Sequence, residues 1–338
     1  MNIGKVSETV LKHSILHQIH TKCDDVLSGA GIGVDCAIFA LSDTENVATC
    51  MREAAVATQA EVDLADTHRE TMTHLLQKCV NNLVAGGAKP IAAAITLLLP
   101  AEAEPDMVRG LMSEAGKACE SLKIAIVGGQ SRVTDAVKMP FAVVTGYGKI
   151  GKEGISSLKR VKPGQDIVLS KWVGLEGTAV LARRNREALG TRYPAYLAEE
   201  AAAFEQYLSV IPEAATAMKS GVYAMHDASE GGIFGALWEL AEGAGVGLSI
   251  DLKKIPLRQE TVEICEFCGL NPYELLSGGC LIMVTRDGEA LAEALQAEGI
   301  PATVIGKTTD SKDRILFNED ESRYMERSKR DEIYRIYE

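Results

Sequence analysis

Apolar positions at helical spacing open the chain. Val10, Leu11, Ile15, Leu16 and Ile19 fall on one side of the segment VSETVLKHSILHQIHTK, residues 6–22, which predicts a helix. Ser7 stands where such a helix would start. Two short apolar runs, CAIFAL at 36–41 and NVAT at 46–49, flank the polar turn SDTE and predict a pair of strands. A polar stretch ending in DTHRE follows, and 71–84 reads as a helix closed by Gly86-Gly87. The run PIAAAITLLL at 90–99 predicts a buried strand, 105–122 a helix, 124–127 the next strand and 140–147 another. The polar segment 152–164, with Gly154 near its start and Pro163-Gly164 at its end, reads as a domain junction. Beyond it come a strand at 166–169 and helices over 176–185, 196–210, 232–242 and 288–298. Helices and strands alternating in this way predict an α/β (α+β) protein.

The 338 residues suggest about two domains at ~150 residues each. With 46% hydrophobic and 24% charged residues, there is enough apolar material for real cores. The net charge of -12 leaves no basic excess for nucleic acid or an anionic membrane surface. No segment reaches the ~18–20 apolar residues of a membrane span. The N-terminal stretch MNIGKVSETVLKHS lacks the plan of a signal peptide, so a cytoplasmic location is expected. The 8 cysteines are scattered, which favours reduced thiols over a disulfide framework.

Candidate chemistry concentrates in a few places. In MHDASEGGIFGALWELAEGAGVGLSI, from Met225, a strand end delivers His226 and Asp227. Ser229 is a good N-cap, and Gly231-Gly232 open a helix whose apolar face runs through Ile233, Leu237 and Leu240. Free N–H groups at such a helix start suit an anion; a capped helix packed closely on a strand gives the same pattern. In AIVGGQSRVTD, residues 125–135, an apolar run enters a double glycine, as at a phosphate turn, yet no carboxylate follows until Asp135. His13, His17 and His20 share one helix face, with Cys23 just beyond. They read as a zinc set or as a polar face or dimer contact. Cys265 and Cys268 form a CxxC at the end of a helix rather than at its start, which suits two small buried residues better than a redox pair. The glycine-rich loop from Ser28 to Gly33 precedes a strand, so it is neither a dinucleotide fingerprint nor a Walker loop. It reads as a flap over a ligand or a mobile surface loop.

Six blocks, in order, resemble the aminoimidazole ribonucleotide synthetase-related (PurM-like) superfamily, and within it the HypE group of hydrogenase maturation factors. They are GVDCAIF at 33–39, NNLVAGGAKP at 81–90, VGGQSRV at 127–133, VKPGQDIVLSKWVGLEGTAVLA at 161–182, HDASEGGIFGAL at 226–237 and ICEFCGLNPYELLSGGCLIMV at 264–284. The resemblance implies two domains, residues 1–152 and 153–338. The N-terminal sheets of two subunits are expected to join into a barrel at a homodimer interface, with ATP and magnesium near it. The chemistry it implies is ATP-dependent phosphorylation or activation of a small substrate or maturation intermediate, with a maturation protein as a further partner. Carried over by position, nucleotide and metal binding would fall to Asp35, Asn82, Gly128, Gly129, Gln130, Ser131, Gly231 and Gly232, with Asp35 as the metal ligand. Asp227 and His226 would be catalytic. Lys89, Arg132 and Lys171 are phosphate contacts or merely solvated cations.

The match departs from the family pattern where it matters for metal. Relatives carry paired aspartates where Val34-Asp35 stands, Asn-Asp where Asn81-Asn82 stands, and Gly-Gly-Asp-Thr where Gln130-Ser131 follows the glycines. A further aspartate is usual near Thr49-Cys50-Met51. Magnesium prefers hard anionic oxygens, and an amide brings no compensating charge. HypE also ends in a Pro-Arg-Ile-Cys tail, whereas this chain ends Tyr334-Arg335-Ile336-Tyr337-Glu338. Two readings follow: an ATP-using enzyme with another substrate, or a non-catalytic dimeric binding or scaffold protein that has lost its Mg-ATP ligands.

Overall fold

Inward and outward positions alternate along the longest strands, and this alternation builds the first sheet. The computed structural model describes residues 7–19, 23–64, 69–151, 156–328 and 330–337. Strands β1 (Val26–Ser28), β2 (Ala37–Ala40), β3 (Glu45–Ala55), β4 (Lys89–Leu99), β5 (Ala125–Val133) and β6 (Phe141–Gly151) pair in the order β1-β2-β3-β6-β4-β5. Along β3, Asn46, Ala48 and Cys50 turn inward at every second residue. Helix α1 (Glu8–Val10) precedes the sheet, and α2 (Gln59–Leu64), α3 (Met72–Ala85) and α4 (Pro105–Leu122) follow its strands. Leu75, Leu76 and Leu83 of α3 and Leu111 and Ala115 of α4 pack over Ala48, Ala93, Ile95, Ala142 and Val144.

The second sheet is mixed and mainly antiparallel. Its strands are β7 (Asp166–Ser170), β8 (Ala224–Ala228), β9 (Gly247–Asp251), β10 (Cys280–Thr285), β11 (Ala302–Thr309), β12 (Arg314–Asn318) and β13 (Glu321–Tyr324), ordered β13-β12-β9-β11-β7-β10-β8. The helices of this half are α5 (Leu175–Arg184), α6 (Arg186–Arg192), α7 (Ala195–Ala202), α8 (Ile211–Lys219), α9 (Gly232–Ala244), α10 (Gln259–Cys268) and α11 (Gly288–Ala297). Helix α9 covers one face through Ile233, Leu237 and Leu240. The other face carries residues of α8 and α11, joined by Val80, Val84 and Ala85 of α3. Helix α3 is thus apolar on two sides and binds the two domains together. Burying one such valine stabilises by about 1.5–3 kcal/mol. Asn81, on the same helix, donates to Leu208 O at 2.8 Å and accepts from Val210 N at 3.2 Å. Neither sheet closes on itself among the described residues.

Several sequence expectations shift. The first helix is a single α-turn, capped by Ser7 Oγ on Val10 N at 3.4 Å, followed by a π turn at Leu11–Ile15 and a 3₁₀ turn at Leu16–Gln18. His20 and residues 152–155 of the expected junction lie outside the described residues. The helix expected over 196–210 stops at Ala202, passes through a 3₁₀ turn at Ala203–Tyr207 and restarts as α8 with Pro212 in its first turn, where proline costs no hydrogen bond. The double glycine is not a turn. Gly128 and Gly129 lie inside β5, at φ 152° and 149°. The register steps from Ala93↔Ile126 to Ala94↔Gly128, so Val127 is a bulge. A Cβ on Gly129 would stand 1.7 Å from Ile95 O, so glycine serves close strand contact here rather than phosphate.

Candidate active site at the domain junction

A cleft of about 360 Å³ opens where α3, β3, β8 and α9 meet. Its wall from the first domain is the glycine-rich loop 31–35, with Arg52 of β3 and Asn82 of α3. The second domain contributes His226 and one face of α9, where Gly231, Gly235 and Glu239 recur four apart. The loop is docked rather than free: Cβ atoms on Gly33 and Gly243 would stand 2.6 Å from Glu239 O and 2.5 Å from Ile32 O.

His226 links two carboxylates. Its Nδ1 lies 2.9 Å from Asp35 Oδ2 and its Nε2 lies 3.3 Å from Glu239 Oε2. Carboxylates only accept, so both ring nitrogens carry protons and the ring is an imidazolium. Burial alone would lower the pKa of this ring, but Asp35 and then Glu239 outweigh it and hold it at about 10. His226 is therefore a fixed cation at neutral pH. Asp227 points to the other side of β8. Both its oxygens are buried without a hydrogen bond, and Arg52 Nη2 stands 3.9 Å away. Burial pushes its carboxyl up to about 7, against the pull of Arg52.

Arg52 is the central residue that sequence reasoning missed. Its Nη2 donates to Asn82 Oδ1 at 2.8 Å and to Ser229 Oγ at 3.4 Å. Its inward position follows from the alternation Asn46, Ala48, Cys50, Arg52 along β3, had the strand been extended beyond Thr49. Ser229 does not cap α9; the cap position is Gly231, at φ 90°. Nor is the start of α9 free for an anion. Gly231 N–H donates to Asp331 Oδ2 at 2.6 Å, and Asp331 Oδ1 accepts from Leu276 N at 3.2 Å and Ile333 N at 2.9 Å. A carboxylate from the C-terminal segment thus sits on the helix N-terminus. Glycine is also required at Gly232, where a Cβ would lie 2.5 Å from Tyr273 O. On the N-terminal side Glu8 accepts from Trp238 Nε1 at 3.1 Å and pairs with Arg327 at 3.5 Å, bringing both terminal segments to the cleft.

Asp35, Asn82, His226, Gly231 and, behind them, Gly232 and Asp227 therefore gather at one place. Gly128, Gly129, Gln130 and Ser131 do not: they lie on the exposed edge strand β5, where Gln130 Nε2 donates to Ser131 O at 3.4 Å. They are absent from the lining of the cleft. Lys171 is no phosphate contact, since its buried Nζ holds Tyr207 O and Ser209 O at 2.7 Å each and Glu213 at 2.5 Å. Cys265 is buried, with its thiol pushed up to about 12 by burial. It lies near the C-terminal end of α10, which leaves it without the activation of a redox CxxC.

The residues present do not fit a resident magnesium ion. Mg²⁺ asks for near-octahedral oxygens at ~2.0–2.1 Å. Asp35 Oδ2 is engaged by His226 and faces Asp227 N at 3.4 Å, while the Asn82 oxygen accepts from Arg52. Among the described residues, no group of three or more His, Cys, Asp or Glu is placed to hold a metal. None of their helices is long and apolar enough to cross a membrane.

Comparison with known proteins agrees with this architecture. The solved structure of a HypE–HypF complex matches with a TM-score of 0.73 at 20% identity, covering 94% of this chain and 99% of that one. A hydrogenase maturation protein HypE in complex with ATP matches with a TM-score of 0.67 at 19% identity, covering 98% and 97%. Carbamoyl dehydratase HypE of Rhodobacter capsulatus is 31% identical over 234 residues, 68% of this chain and 66% of that protein. The match spans about two thirds of the length of such curated relatives, at 66%, 68% and 65%. The family models for AIR synthase related protein match residues 19–150 with the N-terminal domain and 162–317 with the C-terminal domain. With both domain models matched in order, and with HypE proteins as its relatives, the chain belongs to the AIR synthase related family, as a HypE-like member.

Proposed function

We propose that this chain binds ATP or a related nucleotide in the cleft and uses it to activate an oxygen of a small substrate or maturation intermediate. The observation that carries the reading is the convergence, in one cleft at the junction of two PurM-like domains, of Arg52, Asn82 and the Asp35–His226–Glu239 triad. The cleft volume lies within the ~300–1,000 Å³ usual for small-molecule sites. An ATP complex of the same fold and a carbamoyl dehydratase relative support the choice of chemistry. Phosphoryl transfer depends on positioning and positive charge; Arg52 supplies the charge, and His226, with both N–H groups on carboxylates, fixes Asp35 and Glu239 in place. Asp227, poised near neutrality, is the group suited to accept a proton. Reaching a ligand from its buried position would need the β8–α9 turn to shift.

The same reading divides the chain at 1–152 and 153–338 and places a homodimer contact along β5. All nine residues of that strand are exposed, with Val127 at 61% and Val133 at 63%. An edge strand of this kind offers unpaired N–H and C=O groups to a second copy. A maturation protein is the further partner, by analogy with the HypE–HypF complex.

One observation favours a second reading, a non-catalytic dimeric binding or scaffold protein: the groups placed where metal ligands are expected already satisfy one another. Calorimetry with ATP separates the two. The enzyme reading expects micromolar binding, weakened about tenfold or more in Asp35→Ala, because without Asp35 the His226 ring loses the carboxylate that orients it and holds its charge. ATP that produces neither heat nor thermal stabilisation would leave the scaffold reading standing.

A further inference from the structure

We propose that Arg52 takes the place of a divalent cation in this cleft, so that its guanidinium holds the phosphate groups of a bound nucleotide directly and binding needs no Mg²⁺. The proposal rests on the reading of the cleft as a nucleotide site and adds to it the means of recognition. Three observations carry it. Arg52 lines the cleft and lies among the groups a metal would use: its Nη2 is 2.8 Å from Asn82 Oδ1 and 3.9 Å from Asp227 Oδ2. Asp35 is occupied by a second fixed cation, His226, at 2.9 Å. A metal entering here would have to displace His226 from Asp35 and Arg52 from Asn82 before it found an oxygen ligand, and Mg²⁺ sheds its strongly held water shell only for free, hard oxygens.

The guanidinium also has capacity left. Its hydrogen bonds among the described residues leave from Nη2 alone, and Nε is buried without a partner. Arginine presents five donors in a planar fork that matches phosphate oxygens two at a time and never loses its charge. Held by Asn82 and Ser229, the fork is pre-organised, so little side-chain freedom remains to be lost on binding. The lone Asn82 amide then has a positive role: its oxygen orients Arg52, which an aspartate at that position would instead neutralise.

The test measures ATP binding by calorimetry in buffer with EDTA and in buffer with excess Mg²⁺, together with Mn²⁺ binding by electron paramagnetic resonance. The expected result is an ATP affinity that agrees within about threefold between the two buffers, and no Mn²⁺ bound by the wild-type chain. Arg52→Gln should weaken ATP about tenfold to a hundredfold in EDTA, with Arg52→Lys in between, because a point charge replaces a fork. Arg52→Asp should acquire Mn²⁺ binding, a gain that a misfolded variant would not show. ATP binding that appears only with Mg²⁺ keeps the nucleotide reading and overturns the role of Arg52. Mn²⁺ bound tightly by the wild type overturns it as well. A wild-type chain that takes ATP in neither buffer removes the nucleotide reading and this proposal with it.

Discussion

Raising the pH should weaken this fold through His226. The folded chain holds the imidazolium to about 10, against an ordinary value of 6.5. Below 6.5 both folded and unfolded chains carry the proton, and the contribution of the triad is fully present. Above 6.5 the unfolded chain releases a proton that the folded chain keeps, so stability falls with each step until the folded ring itself titrates near 10. One proton gives at most ~1.4 kcal/mol per pH unit, or ~3–4 kcal/mol between pH ~6.5 and ~9. The ring is 3% exposed and faces Asp35 and Glu239, so solvent screening discounts little of this. Asp227 works in a separate window. Its carboxyl, raised from 3.8 to about 7, also makes stability fall with pH, but between those values and not above them. The assay is the urea midpoint of unfolding across this range for the wild type and for His226→Gln, which keeps a donor and removes the charge. The variant should be the less stable near pH 6.5, and the gap should close by ~1 kcal/mol per unit as pH rises. A gap that stays constant from pH ~6.5 to ~9 would refute the charged triad.

Other consequences follow from single positions. Gly129→Ala should destabilise by ~3 kcal/mol or more, since its Cβ meets Ile95 O, while Gly128→Ala, with open space and only an unfavourable φ, should cost ~1–2 kcal/mol; thermal melts that rank them the other way would contradict the bulge. Asp331→Ala leaves the N–H groups of Gly231, Leu276 and Ile333 without their acceptor, so ~2–4 kcal/mol of local stability should go and hydrogen exchange over 330–337 should quicken. Unchanged protection there would deny Asp331 its anchoring role. Val127→Asp should shift a homodimer to monomer in sedimentation while leaving the melting temperature within a few degrees, and a wild type that sediments only as monomer removes the β5 contact.

Elements with a strong local signature were legible in the sequence. The helix from Pro105 to Leu122 and the strand beginning at Ala125 carry their own period and punctuation. Strands β11, β12 and β13 carry no such punctuation, and are strands because neighbours in the second sheet satisfy them. The Gly-Gly pair shows the limit most plainly. Two glycines after an apolar run signal backbone freedom, and the sequence says nothing about whether that freedom serves a phosphate, a turn or an approach to Ile95.

The site was half legible for a related reason. Asp35, Asn82, His226 and Gly231 stand in blocks whose order is distinctive, and the fold brings them to one cleft. Their partners come from elsewhere: Arg52 from the far end of β3, Glu239 from two turns into α9, Asp331 from the C-terminal segment. Taken one at a time, Val34, Asn82 and Gln130 stand only as missing carboxylates. Buried charge has to be compensated as a set. Once Asn82 stands where an aspartate is usual, Arg52 fits beside it; with Arg52 present, Asp227 meets a cation without a metal; with His226 protonated, Asp35 does the same. If Arg52 holds phosphate as proposed, the departures at separate places in the chain amount to one change in the chemistry of the cleft: oxygens that could face a metal face a side-chain cation instead.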